Sequence, residues 1–137
     1  MEKQRWIADI RDACRAAGTY KPFFEPVIDT LAGILEKRDE TERLYWESGG
    51  QPVISHVNQA KAANPVKNPY LVLLGELNTQ ALAYWRDLGL TPAGLKKIDE
   101  AALKEKKKSA LAAALADLEG QTKAKKKPAA KSKAKKR

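Results

Sequence analysis

The sequence predicts an all-α fold: elongated helices joined as helical hairpins, with one short irregular or extended segment near 51–67 and a disordered basic C-terminal tail. Three observations carry this. Apolar residues recur at spacings of three and four along most of the chain as far as Leu118, the period of an amphipathic helix. Two cap-and-proline pairs, Asn68-Pro69 and Thr91-Pro92, mark helix starts, because Asn or Thr accepts from free first-turn amides and proline fills a position whose donor is not needed. Charge is also unevenly placed: residues 1–119 hold 17 Lys plus Arg and 17 Asp plus Glu, whereas 120–137 hold nine basic residues and no acidic one. That division sets the expected organisation, a helical domain over 1–119 and a Lys-rich tail over 120–137 with nothing to bury.

Trp6, Ile7, Ile10, Cys14 and Ala17 predict a first helix over about 3–17, stopped by Gly18. Phe23, Phe24, Val27, Ile28, Leu31, Ile34 and Leu35 begin a second stripe that Leu44 and Tyr45 continue. Pro22 and Pro26 confine its start, because proline is tolerated only in the first turn, and Ser48-Gly49-Gly50 ends it near Glu47. From Gln51 to Lys67 neither period holds, so the segment reads as a loop with a short extended piece at 53–57. Tyr70, Leu74, Leu77, Ala81, Tyr84 and Leu88 then place one stripe along a helix that starts at Pro69, with Leu71, Leu73 and Trp85 widening it. Gly89 closes that helix by taking the left-handed conformation, and Thr91-Pro92 opens the last one. Its stripe of Leu95, Ile98, Ala102 and Leu103 is interrupted by Lys104–Ser109 and resumes at Leu111, Leu115 and Leu118.

Several chemistries have no support. The chain has no Gly-rich phosphate loop and no nucleophile elbow, and its one Cys and one His lie far apart with no motif around either. Cys14 reads as a buried thiol and His56 as a loop histidine. The carboxylates are interspersed with Lys and Arg, as in Glu36–Glu47, which suits pairing on a wet helix face better than acid/base work. We therefore expect no enzyme activity, no metal and no cofactor. No run approaches the roughly 18 apolar residues of a membrane span, and the first ten residues lack a secretory hydrophobic segment, so a cytoplasmic protein without a membrane partner is expected.

The early helix, the long helix ending in Glu47-Ser48-Gly49-Gly50, the stretch Gln59–Leu71 and the helix-bend-helix Leu77–Ile98 together resemble the small terminase subunit of tailed phages, P27 family, over about residues 5–100. Asn68-Pro69 and Leu88-Gly89-Leu90-Thr91-Pro92 are its most specific parts. After Pro92 the chain departs from the pattern, with Ala93-Gly94-Leu95-Lys96 where small residues and then an arginine belong. The resemblance implies a non-catalytic, ring-forming homo-oligomer that recognises double-stranded viral DNA and regulates the large terminase subunit, which holds the ATPase and nuclease, in the host cytoplasm during viral assembly.

DNA contacts are expected from the tail, through Lys123, Lys125, Lys126, Lys127, Lys131, Lys133, Lys135, Lys136 and Arg137, and secondarily from Lys97, Lys104 and Lys108, which fall on one helix face. For that face, simple solvation is the competing reading. Leu74, Leu77, Tyr84, Trp85 and Leu88 are the expected oligomer-interface residues, shared with intrachain packing. Two other readings stay open: a helix-turn-helix or linker-histone-like DNA-binding protein, and a structural oligomeric adaptor whose tail only keeps it soluble. Against the first, Thr91–Glu100 offers no Arg, Asn or Gln at the start of the second helix, where bases are usually read.

Overall fold

The computed structural model describes residues 2–125. In order the elements are α1 (Lys3–Ala17), a 3-10 turn (Pro22–Phe24), α2 (Glu25–Glu47), β1 (Val53–Val57), β2 (Ala63–Lys67), α3 (Pro69–Asp87) and α4 (Pro92–Lys125). The chain forms two compact units, one reaching to Ile98 and one from Asp99 onward. The fold is thus largely helical but not purely so: residues 53–67, expected to contribute a loop with one extended piece, form an antiparallel hairpin.

In the first unit α2 packs against both α1 and α3. Ile10 and Cys14 from α1, Ile28, Leu31, Ala32 and Leu35 from α2, Ala81 from α3 and Leu88 at the C-cap of α3 form the buried core, with Trp6, Phe24, Tyr84 and Trp85 closing its rim. All but Ala32 are stripe positions, so in α1, α2 and α3 the 3.6-residue period marked residues that face inward. Three of the helices end by one device. Gly18, Gly49 and Gly89 all take positive φ (72°, 111° and 72°), and reversed amide bonds from the residue after each close the last turns: Thr19 N–H to Cys14 O, Gly50 N–H to Tyr45 O and Leu90 N–H to Trp85 O. The glycines supply the left-handed conformation at little steric cost.

Polar contacts fix α1 onto α2. Trp6 Nε1 donates to Asp39 at 2.8 Å, and Lys3 Nζ to Asp29 at 2.9 Å. Arg11 makes a two-pronged pair with Glu25, at 2.9 Å and 2.8 Å, while Tyr20 Oη donates to the same carboxylate at 2.7 Å. The Arg11 and Tyr20 donors hold the Glu25 carboxyl down at about 2. Because the folded value lies below the unfolded one, the stabilisation is fully present above the ordinary Glu range and is lost as pH falls from about 4 toward 2. Glu25→Gln is therefore expected to lower the urea midpoint at pH 7, and its difference from the parent protein should vanish near pH 2. A gap that persists unchanged to pH 2 would mean that packing, not this ion pair, is responsible.

Strand β2 lies where neither period holds, and it contains Pro65. Asn68 N–H bonds to Pro52 O and Asn58 N–H to Ala62 O, so the hydrogen-bonded pairs of the ladder fall at 54/66 and 56/64, and Ser55/Pro65 is a non-bonded pair. Proline's missing donor then faces away from the partner strand. The helix α4 also runs further than expected. Gly120 to Lys125, assigned to the tail, continue it, since Lys, Gln and Ala are good helix formers and lysines suit a helix C-terminus. The rest of the expected tail, 126–137, lies outside the described residues.

Candidate nucleic-acid interface

The two cap-and-proline pairs are built as their chemistry requires. Asn68 is buried, its Oδ1 accepts from Tyr70 N–H at 3.0 Å, and its Nδ2 donates to Gln51 O at 2.8 Å, so one side chain starts α3 and also ties down the base of the hairpin. Thr91 Oγ1 accepts from Gly94 N–H at 3.1 Å. The bend between α3 and α4 is anchored from below by Thr19, whose hydroxyl donates to Leu88 O at 2.8 Å. A Cβ at Gly89 would meet Ile98 Cδ1 at 2.7 Å, and one at Gly94 would lie 2.1 Å from Arg86 O. Gly94 is thus where the first turn of α4 crosses the last turn of α3 with no room for a side chain.

Among the expected interface residues, Leu77 and Leu88 are buried within the chain itself, and Leu74, Tyr84 and Trp85 are half-buried. The apolar side chains that α3 leaves exposed are Val72, Leu73 and Leu82, which the stripe reading had passed over or treated as flanking. An open groove of about 460 Å³ between α2 and α3 is lined by Leu73, Leu77, Thr41, Glu36, Lys37 and Glu40.

Of the expected DNA-contacting residues, Lys97 is exposed in the first unit. In the second, every described side chain from Asp99 to Lys123 is exposed, including Lys104, Lys108 and Lys123. Because the helix is continuous there, Lys104 and Lys108 share a face with Leu111, Leu115 and Leu118, so the stripe that the sequence reading took as interrupted changes from cationic to apolar along one line. Lys125 ends α4, and Lys126, Lys127, Lys131, Lys133, Lys135, Lys136 and Arg137 lie outside the described residues.

Among the described residues no three His, Cys, Asp or Glu side chains gather as a metal site, and no helix is long and apolar enough to cross a membrane. Cys14 is fully buried, and burial pushes its thiol up, with the Thr19 hydroxyl only partly opposing. His56 is exposed on β1 opposite Asn64. No family model, no curated protein and no solved structure matches this chain.

Proposed function

We propose that this protein is the small terminase subunit of a tailed phage or prophage, a non-catalytic, ring-forming DNA-recognition component that regulates the ATPase and nuclease of a large terminase subunit. The observation that carries the reading is the α3–bend–α4 joint. The two cap-and-proline pairs of the resemblance, Asn68-Pro69 and Thr91-Pro92, stand at the starts of successive helices whose bend is held by Thr19, Gly89 and Gly94.

Self-association is supported by apolar surface that stays exposed among the described residues. Val72, Leu73 and Leu82 on α3, and Leu103, Leu111, Leu115 and Leu118 on α4, are each more than 40% exposed. An amphipathic helix loses most of its driving force if that stripe stays in water, and a second copy supplies a matching surface. Leu77 and Leu88 contribute by holding α3 to the core, and the contacts between copies fall to the exposed set.

Mass in solution at micromolar concentration tests this. A homo-oligomer well above a dimer is expected, and a clean monomer of 15.1 kDa overturns the reading. The purified protein should hydrolyse no ATP yet change the ATPase rate of its cognate large subunit. Hydrolysis that survives repurification and disappears with a point substitution in this chain would also overturn it.

A further inference from the structure

We propose that the β1–β2 hairpin is a DNA-contacting arm that enters the major groove of duplex DNA, with Gln59, Lys61, Asn64 and His56 as the contacting side chains. The proposal rests on the packaging reading above and names a contact surface that neither the tail nor the α4 lysines provide.

Four observations place the arm. Between Glu47 and Glu76 the chain carries no carboxylate, while Lys61, Lys67 and a series of amides lie in that interval. Elsewhere up to Ile98 acids and bases are mixed, so this is the one long stretch there that a polyanion approaches without repulsion. Next, every residue from Gln51 to Lys67 except Ile54 is exposed, so the ribbon contributes almost nothing to the core. An isolated two-stranded ribbon is marginal in water and is kept here by its anchoring. That anchoring is firm: Asn68 N–H bonds to Pro52 O at 2.8 Å, Asn68 Nδ2 to Gln51 O at 2.8 Å, and Tyr45 Oη to Gly50 O at 2.7 Å.

The fourth observation is at the tip. Lys61 N–H bonds to Asn58 O and Ala62 N–H to Asn58 Oδ1, forming a tight turn in which Lys61 has φ 59°. Among the described residues it is the only non-glycine with positive φ. Glycine adopts that conformation at less cost, and hairpin loops of this kind normally place it there. The proposed contact gives this cation, held where glycine fits better, a role at the tip.

The dimensions suit a groove. Five paired residues span roughly 17 Å, and the major groove, about 12 Å wide, admits a two-stranded ribbon. Asn and Gln amides offer the paired donor and acceptor that adenine presents there, and lysine reaches guanine or a phosphate. Asn58 spends its side chain on the turn, leaving Gln59 at the tip and Asn64 and His56 facing one another across the ladder.

The test is fluorescence anisotropy of the full chain on a 30-base-pair mixed-sequence duplex at several salt concentrations. Lys61→Gly relieves the positive φ, so it keeps the hairpin while removing the cation. Gln59→Ala with Lys61→Gly is expected to weaken binding at least about tenfold, and Lys61→Gly alone to make the salt slope shallower by about 0.9. A major-groove competitor such as methyl green should reduce the parent protein's affinity to the variant's level, and a minor-groove binder should not. Unchanged affinity and slope in the double variant overturn the proposal, as does an altered oligomer mass with DNA affinity intact, which would make the hairpin a protein interface. If the parent protein binds no duplex even at low salt, the packaging reading itself fails.

Discussion

Replacing Gly94 with alanine is expected to destabilise the first unit by about 1–3 kcal/mol, although the same exchange in an open helix stabilises. The added methyl carbon would stand 2.1 Å from Arg86 O and 2.9 Å from Arg86 C, and backbone at the end of α3 cannot swing aside as a side-chain tip can. Arg86 O also accepts Gly89 N–H at 3.0 Å, so displacing it loosens the closure of α3 as well as its crossing with α4. Gly75 in the middle of α3 is the control, because a Cβ there meets nothing within 4 Å. Gly75→Ala is expected to stabilise by about 0.5–1 kcal/mol through helix propensity alone. Thermal unfolding decides between them: for a unit of this size roughly 4–8 °C accompanies each kcal/mol, and the two variants should shift in opposite directions. Two upward shifts would mean that the helices do not cross this closely.

That joint also shows what the sequence made legible. Asn68, Thr91, Gly18 and Gly89 act locally: a cap accepts from an amide two or three residues away, and a left-handed glycine closes the turn it ends. Such signals survive without knowledge of the rest of the chain. Gly94 does not, because its reason is the Arg86 carbonyl on another helix. The hairpin was missed for the same kind of reason. Its usual signal is a glycine at the turn, and here that position is Lys61, while β2 lacks a clean alternation and holds Pro65, which the ladder accommodates at a non-bonded pair. The expected interface residues show how far periodicity reaches: it marks an apolar face without saying what covers it. Leu77 and Leu88 are buried within the chain, while Val72 and Leu82, just outside the regular stripe, are exposed.

The largest change in affinity is expected from removing the chain's terminal positive charge. A cut after Glu119, suggested by where the last acidic residue lies, would also remove the final turns of α4, so loss of binding could reflect loss of helix. A cut after Lys125 leaves every described element whole and removes Lys126, Lys127, Lys131, Lys133, Lys135, Lys136 and Arg137. If about five of these engage phosphates, they contribute roughly −4.5 to the slope of log affinity against log salt, or roughly 500-fold between 50 and 200 mM. The truncated protein should keep its helical content and oligomer mass, and lose most of that slope. What remains measures the body, and it is there that the Lys61→Gly decrement of about 0.9 should still be found, since tail and hairpin contact different phosphates and their effects should add. An acidic surface on the large subunit is the competing target for the tail. In that case truncation makes protein binding, rather than DNA binding, insensitive to salt, and titrating both partners at two salt concentrations separates the cases. Full affinity and full slope on DNA after the cut would move the contacts to the helical body, with Lys97, Lys104 and Lys108 the first residues to replace.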